Sequence, residues 1–138
     1  MEMETESIAR STRQVALAFL SAYWRAELAT ALALCAPEAV IELPQSIPIV
    51  TPALVRDVLP GIFSEIYQRF VGGRFDAAIE RTVAEEDVVF VEYRATGDLK
   101  TGHSFDCRYG AVFQIRKERV VLFRQYTDTQ YVAKALLS

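Results

Sequence analysis

The sequence predicts an α+β domain in which three N-terminal helices pack on a strongly curved, mostly antiparallel sheet. Before Gly72, apolar residues recur every three or four positions, which is the periodicity of helices. After Gly73, four segments alternate between apolar and polar residues and are separated by turn residues, which is the pattern of antiparallel strands. A curved sheet folded over helices forms a cone whose interior can hold a ligand.

The first two helices and one short strand are predicted in the first part of the chain. From about Ser7 to Arg25, apolar residues fall on one face of a helix. A second helix, Ala29–Cys35, should end before Pro37, because the proline ring disfavours helical geometry in the residue before it. The short segment 39–43 then alternates like a strand.

The third helix is predicted to begin at Thr51 and Pro52, since a hydroxyl cap followed by proline is typical of a helix start. Pro60 should kink this helix or divide it in two. Gly72 and Gly73 should end it, as glycines often end helices. The glycines lack the Lys and Ser/Thr of a phosphate-binding loop.

Four long strands are predicted after the glycines, at Phe75–Ala84, Val88–Thr96, Ser104–Arg116 and Val120–Asp128. In the last strand, one face carries Phe123, Gln125 and Thr127, and the other carries Arg124, Tyr126 and Asp128. Alternation alone does not decide which face points inwards.

Composition limits the function. The chain of 138 residues is 51% hydrophobic and 24% charged, so we expect one globular domain over residues 1–138. A net charge of −3 with scattered Lys and Arg argues against nucleic-acid binding. The acidic N-terminus is unlike a secretory signal, and no run approaches the ~18 apolar residues of a membrane span. We therefore expect a cytoplasmic protein with no membrane association.

The cysteines and the histidine offer little reactive chemistry. Cys35 and Cys107 are expected to be free and buried, with one disulfide as the alternative. Cys107 as a nucleophile would need a base, and His103 lies beyond the start of its strand. Since His103 is the only histidine, we expect no metal and no cofactor.

The segment GHSFDCRYGAVFQIRKERVVLFRQYTDT and the order of elements resemble the SnoaL-like polyketide cyclases. These are relatives of ketosteroid isomerase and limonene epoxide hydrolase in the nuclear transport factor 2-like superfamily. The segment AFLSAYWRAELATALALCAPEAVIELP resembles the family's first two helices and following strand, with Glu27 at a usually acidic position. The G-x-x-[FY], V-F-x-[IVL] and R-x-Y-x-D patterns are also typical. The resemblance covers nearly the whole chain and implies the cone-shaped, cystatin-like fold.

The resemblance implies that Gln125 points into the cone, since related enzymes direct the residue after the Arg of R-x-Y-x-D inwards. The alternative places Tyr126 in the core and Gln125 in solvent. Together with strand alternation, the resemblance predicts a ligand pocket made of Phe19, Leu20, Tyr23, Ile41, Leu43, Val91, Tyr93, Cys107, Tyr109, Phe123, Gln125 and Thr127. The competing interpretation is that these side chains simply fill the cone.

The catalytic carboxylates of the related enzymes have no counterpart here. By the resemblance, the isomerase base position is Leu43, and the two donor positions are Phe19 and Ala111. The positions of the epoxide hydrolase relay read Gln125, Tyr93, Ala95, Ile41 and Leu43. A glutamine amide can orient a carbonyl or hydroxyl but cannot activate water as a carboxylate does.

We therefore expect a small, mostly apolar, oxygen-bearing ligand such as a polyketide, terpenoid or steroid-like molecule. The first hypothesis is an enzyme that cyclises or isomerises this molecule, with catalytic hydrogen bonds from Gln125, Tyr23, Tyr93 and Tyr109. The alternative is a non-catalytic ligand-binding protein on the same fold. An interaction module is a third, less favoured class, because the predicted pocket residues are large and amphipathic.

Charged residues share one face across three of the predicted strands: Glu92, Arg94, Asp106, Arg108, Arg124 and Asp128. Alternating signs on an outer sheet face are typical of cross-strand pairs or a dimer interface, and a second catalytic cluster is the alternative. We expect a homodimer through this face. Whether Glu42, Asp106 or Asp128 serves as a base stays open from the sequence.

Overall fold

The computed structural model describes the backbone of residues 2–137 and the side chains of residues 12–137. The described chain forms four α-helices: α1 (Glu2–Trp24), α2 (Leu28–Ala33), α3 (Val55–Gly61) and α4 (Thr129–Leu136). It also forms six strands: β1 (Cys35–Glu42), β2 (Ala53–Leu54), β3 (Asp76–Glu85), β4 (Val88–Asp98), β5 (Ser104–Arg116) and β6 (Arg119–Thr127). The predicted α+β cone is confirmed, with one helix more than expected.

The strands form one sheet in the order β2-β1-β6-β5-β4-β3. β3 to β6 form an antiparallel meander, and β1 pairs with β6 in the parallel direction. The helices cover the inner sheet face, where alternate residues such as Val89, Val91 and Tyr93 are fully buried. These alternating positions match the period of two expected for strands with one buried face.

The four long strands lie close to their predicted limits, and β5 matches them at both ends. The helical half differs more. Pro37 lies within β1 rather than after a helix, beside an irregularity in the pairing of β1 with β6. α1 extends toward the N-terminus beyond its predicted start at Ser7, a residue whose side chain lies outside the described part.

Thr51 does not cap a helix, so this prediction was wrong. The backbone N–H of Leu43 donates to Thr51 Oγ1 at 3.1 Å, and Ala53–Leu54 form the edge strand β2 before α3 begins. The residue before a proline prefers extended backbone, so a Thr-Pro pair is also compatible with an extended segment. The long-range bond to Leu43 therefore replaces the predicted local cap.

Pro60 interrupts the third helix, as predicted. Proline has no N–H for the helical ladder, and its ring crowds the preceding turn. α3 ends at Gly61, and the chain continues as a π-helical turn, Ile62–Ile66, and a 3₁₀ turn, Tyr67–Arg69. Gly72 and Gly73 then adopt positive φ of 83° and 69°, which ends the helical region as expected.

The outer sheet face carries ion pairs between strands, one of the two outcomes expected for its charged residues. Arg94 Nε donates to Asp106 Oδ1 at 2.7 Å, and Arg124 pairs with Glu42. Arg108 Nε donates to Glu80 Oε1 at 2.7 Å. Asp128 departs from the expectation: its carboxylate accepts from the backbone N–H of Tyr131 and caps α4.

Cys35 and Cys107 are both free and buried, as predicted. Among the described residues, no helix is both long and apolar enough to cross a membrane.

Candidate functional site

A cavity lies inside the cone between the inner sheet face and the helices. The space open to the centre of a water molecule is about 70 Å³, so the cavity is narrow. Its lining side chains carry no formal charge: Tyr23, Leu43, Pro44, Ile47, Ile49, Ile62, Ile66, Tyr67, Phe70, Phe75, Tyr93, Phe105, Tyr109, Gln125, Thr127, Val132 and Leu136. The walls are thus aliphatic and aromatic, with polarity supplied by hydroxyl groups and one amide.

The sheet wall of the cavity contains a row of polar tips produced by strand register. Tyr93 on β4 lies opposite Tyr109 on β5, which in turn lies opposite Thr127 on β6. The two tyrosine rings stack with centroids 5.2 Å apart and an angle of 4° between their planes. Offset stacking of this kind fixes both rings, so their hydroxyls are held in defined positions.

Gln125 lies beside this row with its side chain inside the cone. The residue is 7% exposed, whereas Tyr126 is 54% exposed, so the predicted inward orientation of Gln125 is confirmed. Gln125 Nε2 donates to Tyr93 Oη at 3.2 Å. This bond gives the buried amide a partner within the protein.

The helical wall contributes Tyr23 from α1 and Tyr67 from the turn after the π-helix. Their rings meet edge to face with centroids 5.9 Å apart. Each is buried, at 5% and 3% exposure respectively. The burial of Tyr67 follows from the π-helical turn, which places Phe63 and Tyr67 on the inner side while Ser64 and Glu65 face solvent.

Burial dominates the electrostatics of these tyrosines. Loss of hydration raises the pKa of Tyr23 to about 12, and the Gln125 side chain offsets part of this effect. Burial also raises the pKa values of Tyr67, Tyr93 and Tyr109 well above the ordinary tyrosine value, reinforced by the nearness of the phenols to one another. The four hydroxyls are therefore neutral hydrogen-bond donors at physiological pH.

Tyr67 Oη has no hydrogen-bond partner among the described residues, although it is buried. The phenols of Tyr23 and Tyr67 are close enough for a polar contact that shifts the pKa of each group, but this contact does not have the geometry of a hydrogen bond. Trp24 Nε1 is also buried without a partner of hydrogen-bond geometry, but Trp24 lies behind Tyr93, with ring centroids 5.2 Å apart, and does not line the cavity. Buried polar atoms without partners are uncommon, so Tyr67 Oη gives the helical wall unused hydrogen-bonding capacity.

Half of the predicted pocket residues line the cavity: Tyr23, Leu43, Tyr93, Tyr109, Gln125 and Thr127. The other half are buried but do not line it: Phe19, Leu20, Ile41, Val91, Cys107 and Phe123. Aromatic packing explains this difference, because Phe19 lies 5.0 Å from Phe123 and 5.8 Å from Phe113, measured between ring centroids. For these residues, the competing interpretation that side chains fill the cone describes the structure better.

Cys107 lies behind the wall, where Sγ is 3.1 Å from Thr127 Oγ1. Burial raises the pKa of this thiol, which opposes a nucleophilic role.

Apart from Tyr23 and Leu43, sequence reasoning missed the cavity residues supplied by loops and helices, and it also missed Phe105 on β5. Ile47 and Ile49 come from the apolar loop after β1, and Val132 and Leu136 come from α4. The spacing of four between Val132 and Leu136 is a helical signal that could have been recognised. Ile62, Ile66, Tyr67 and Phe70 belong to the predicted third helix, but their orientation depends on the π-helical turn.

The candidate bases lie outside the cavity. Glu42 pairs with Arg124, Asp106 pairs with Arg94, and Asp128 caps α4. Leu43 lines the cavity at the position where the resemblance places the isomerase base. Among the described residues, His, Cys, Asp and Glu side chains form no group of three that could hold a metal ion.

Comparison with known families gives a match to the SnoaL-like domain over residues 16–123. No curated protein matches the sequence. Among solved structures, a candidate SnoaL-like polyketide cyclase from Jannaschia sp. CCS1 has a TM-score of 0.77 and 17% identity, covering 94% of this chain and 93% of that chain.

Two further solved structures have the same fold. An NTF2-like protein from Burkholderia thailandensis E264 has a TM-score of 0.75 and 25% identity, covering 90% of this chain and 95% of that chain. An LEH-like epoxide hydrolase from M. tuberculosis has a TM-score of 0.70 and 20% identity, covering 94% of this chain and 91% of that chain. Proteins similar to this chain therefore include a cyclase-like protein and an epoxide hydrolase on one scaffold.

Proposed function

This chain belongs to the SnoaL-like domain family, and from that premise we propose that it binds a small, mostly apolar, oxygen-bearing molecule inside the cone. The observation that carries the proposal is a narrow apolar cavity with polar tips on a single amide and several hydroxyls. Ligand sites generally combine apolar walls with a few placed polar groups. A polyketide, terpenoid or steroid-like molecule has the matching chemistry.

The ligand oxygen is expected to be neutral. All the lining side chains are uncharged, so a carboxylate or phosphate in the cavity would lose hydration without gaining a cation. A carbonyl or hydroxyl oxygen has a smaller desolvation cost and can be matched by phenol hydroxyls and the Gln125 amide. Stacked Tyr93 and Tyr109 form a flat wall that favours a planar ring beside it.

Catalysis of a cyclisation or isomerisation is the second candidate function, favoured by the neutral donors gathered on the sheet wall. Hydroxyls held in an apolar site can stabilise the negative charge that develops on an enol oxygen. Tyr93, Tyr109 and Gln125 would supply these hydrogen bonds. Since Leu43 replaces the carboxylate base, the proton would have to leave to water or to another part of the substrate.

Binding can be tested with 1-tetralone, a bicyclic ketone, and tetralin, the hydrocarbon of similar shape. Trp24 is the only tryptophan and packs against Tyr93, so its fluorescence should report occupancy, with calorimetry as a second measurement. We expect 1-tetralone to bind roughly tenfold more tightly, about the 1.4 kcal/mol of one good hydrogen bond. Equal affinities, or no binding of either compound, would contradict the proposal.

Tyr126→Phe provides the matched control for these measurements. It removes one tyrosine hydroxyl from the outer sheet face, where Tyr126 is 54% exposed. The affinities of both probes should therefore stay unchanged in this variant.

A further inference from the structure

We propose that Tyr67 Oη is a ligand-binding group that donates a hydrogen bond to a neutral carbonyl or hydroxyl oxygen of the molecule in the cavity. This inference rests on the proposed function and adds a residue from the helical wall to the site. Tyr67 lines the cavity, is 3% exposed and has no hydrogen-bond partner among the described residues.

The Tyr67 ring is held in place on several sides. Ring centroids lie 4.9 Å away in Phe63, 5.1 Å away in Phe75 and 5.9 Å away in Tyr23. The hydroxyl therefore cannot reach solvent by a simple change of side-chain rotamer, because neighbouring rings fill the space around it. Only the direction of its O–H bond remains free to adjust to a partner.

The backbone around Tyr67 explains why this hydroxyl is directed inwards. Pro60 lacks the N–H of a regular helix, and the chain forms the π-helical turn Ile62–Ile66 immediately after α3. Such turns change the angular position of the residues that follow, and they occur often at functional sites. Here the turn places Phe63 and Tyr67 on the buried side, where Tyr67 meets the cavity.

The unpartnered hydroxyl has an energetic consequence. A buried polar group without a partner destabilises the folded protein, since its hydrogen bonds to water in the unfolded state are not replaced. A ligand oxygen beside Tyr67 Oη would replace them. The Tyr67 hydroxyl should thus lower the stability of the unliganded protein and strengthen ligand binding. A hydroxyl with a purely structural role would instead stabilise the unliganded protein.

The chemistry of the wall selects the class of ligand oxygen. Burial holds the pKa of Tyr67 well above the ordinary tyrosine value, so the group is a neutral donor. The lining side chains include no cation that could offset an anionic ligand. A ketone, enol or phenol therefore suits Tyr67 better than a carboxylate does.

Tyr67→Phe tests the inference with three probes: 1-tetralone, tetralin and the carboxylate 1-naphthoate. We expect the variant to bind 1-tetralone about tenfold more weakly while its affinity for tetralin stays unchanged. We expect 1-naphthoate to bind wild-type protein more weakly than 1-tetralone does. The Tm of the unliganded variant should equal or exceed the wild-type value, because the change removes only an unpartnered buried hydroxyl.

Tyr131→Phe is the matched control, since Tyr131 Oη accepts a hydrogen bond from the backbone N–H of Asp106 at 2.9 Å. Tyr131 does not line the cavity, so this variant should lose stability and keep the affinity for 1-tetralone. The Tm should thus fall in Tyr131→Phe but not in Tyr67→Phe, so the two variants distinguish a structural hydroxyl from a ligand-binding one.

The outcomes separate this inference from the proposed function. If wild-type protein prefers 1-tetralone and Tyr67→Phe keeps that preference, the role of Tyr67 is refuted and the proposed function stands. A clear fall in Tm of unliganded Tyr67→Phe would also refute it, because the hydroxyl would then have a partner within the protein. Failure of 1-tetralone to bind wild-type protein would overturn the proposed function and, with it, the inference.

Discussion

Gln125 and Tyr93 show how a single hydrogen bond can link the stability of the cone to the properties of its cavity. Gln125 and Thr12 are the buried polar residues identified among residues 12–137, and only Gln125 lines the cavity. Its Nε2 donates to Tyr93 Oη, which leaves the amide oxygen able to accept a bond. The pair therefore belongs both to the protein core and to the site.

A double-mutant cycle measures this link. Gln125→Met and Tyr93→Phe should each lower the free energy of unfolding by about 1–2 kcal/mol, because each leaves a buried polar group without its partner. The double variant should be less destabilised than the sum of the two, by about 1 kcal/mol, since it removes both partners. Urea denaturation gives all four values. Simple additivity would show that the bond contributes nothing measurable.

At the residue scale, the polar residues of the sheet wall and Tyr23 of α1 were predictable, and the cavity residues of the third helix and α4 were not. The alternation of β6 and the resemblance together predicted that Gln125 points inwards, and β4 and β5 direct Tyr93 and Tyr109 to the same side. Tyr67 was predicted on the apolar face of the third helix but not in the pocket, because the sequence does not show how the chain after Pro60 meets the cavity. Alternation gives only two choices for a strand residue, whereas a helix interrupted by proline offers several.

At the element scale, β4 packs against the helical region so closely that Gly97 has no room for a side chain. A Cβ added there would lie 2.8 Å from Phe70 Cδ1 and 3.3 Å from Phe75 Cβ. Phe70 is 1% exposed, with ring centroids 5.3 Å from Phe105 and 5.4 Å from Phe75. The Phe70 ring therefore cannot move aside without disturbing the cavity wall.

Gly97→Ala should lower the free energy of unfolding by about 1–3 kcal/mol, as overpacking of a core does. Gly61→Ala is the control, because Gly61 has helical φ and ψ of −67° and −38° and nothing within 4 Å of an added Cβ. That change should raise the free energy of unfolding by about 0.4–1 kcal/mol. Denaturant melts of both variants check the prediction, and a stable Gly97→Ala would contradict the packing argument.

The elements themselves were predicted unevenly for a physical reason. Long strands with one buried face are recognisable in the sequence because apolar and polar residues alternate. The predicted limits of β3 to β6 agree with the observed ones within about two residues. The helix start predicted at Thr51 was wrong because a contact from Leu43, eight residues earlier, determines the role of that hydroxyl. α4 was missed because it is short and follows a strand without a glycine or proline break.

At the scale of the whole molecule, we propose that two copies associate through the outer sheet face. Tyr126 is exposed there, and the Arg124–Glu42 and Arg94–Asp106 pairs give the same face charges of both signs. A surface with both signs can be complementary to a second copy related by a two-fold axis. Tyrosine and arginine are among the residues enriched in the binding hot spots near interface centres.

Light scattering at micromolar concentration should give about twice the chain mass of 15.5 kDa. Tyr126→Glu should shift the protein toward the monomer, because it places a charge at the centre of the interface. Binding of 1-tetralone should be retained, since Tyr126 lies on the face opposite the cavity. A wild-type protein that stays monomeric at this concentration would refute the proposal.

The parallel pairing of β1 with β6 has a consequence for how the chain reaches its native state. Glu42 lies beside Arg124, 82 positions later in the sequence, whereas β3 to β6 pair with neighbours through short turns. Closing a long loop costs more chain entropy than closing a hairpin. The meander should therefore form early, and β1 should pair with β6 late. The rate of folding should then be limited by the formation of this long-range pairing, which the hairpins do not accelerate.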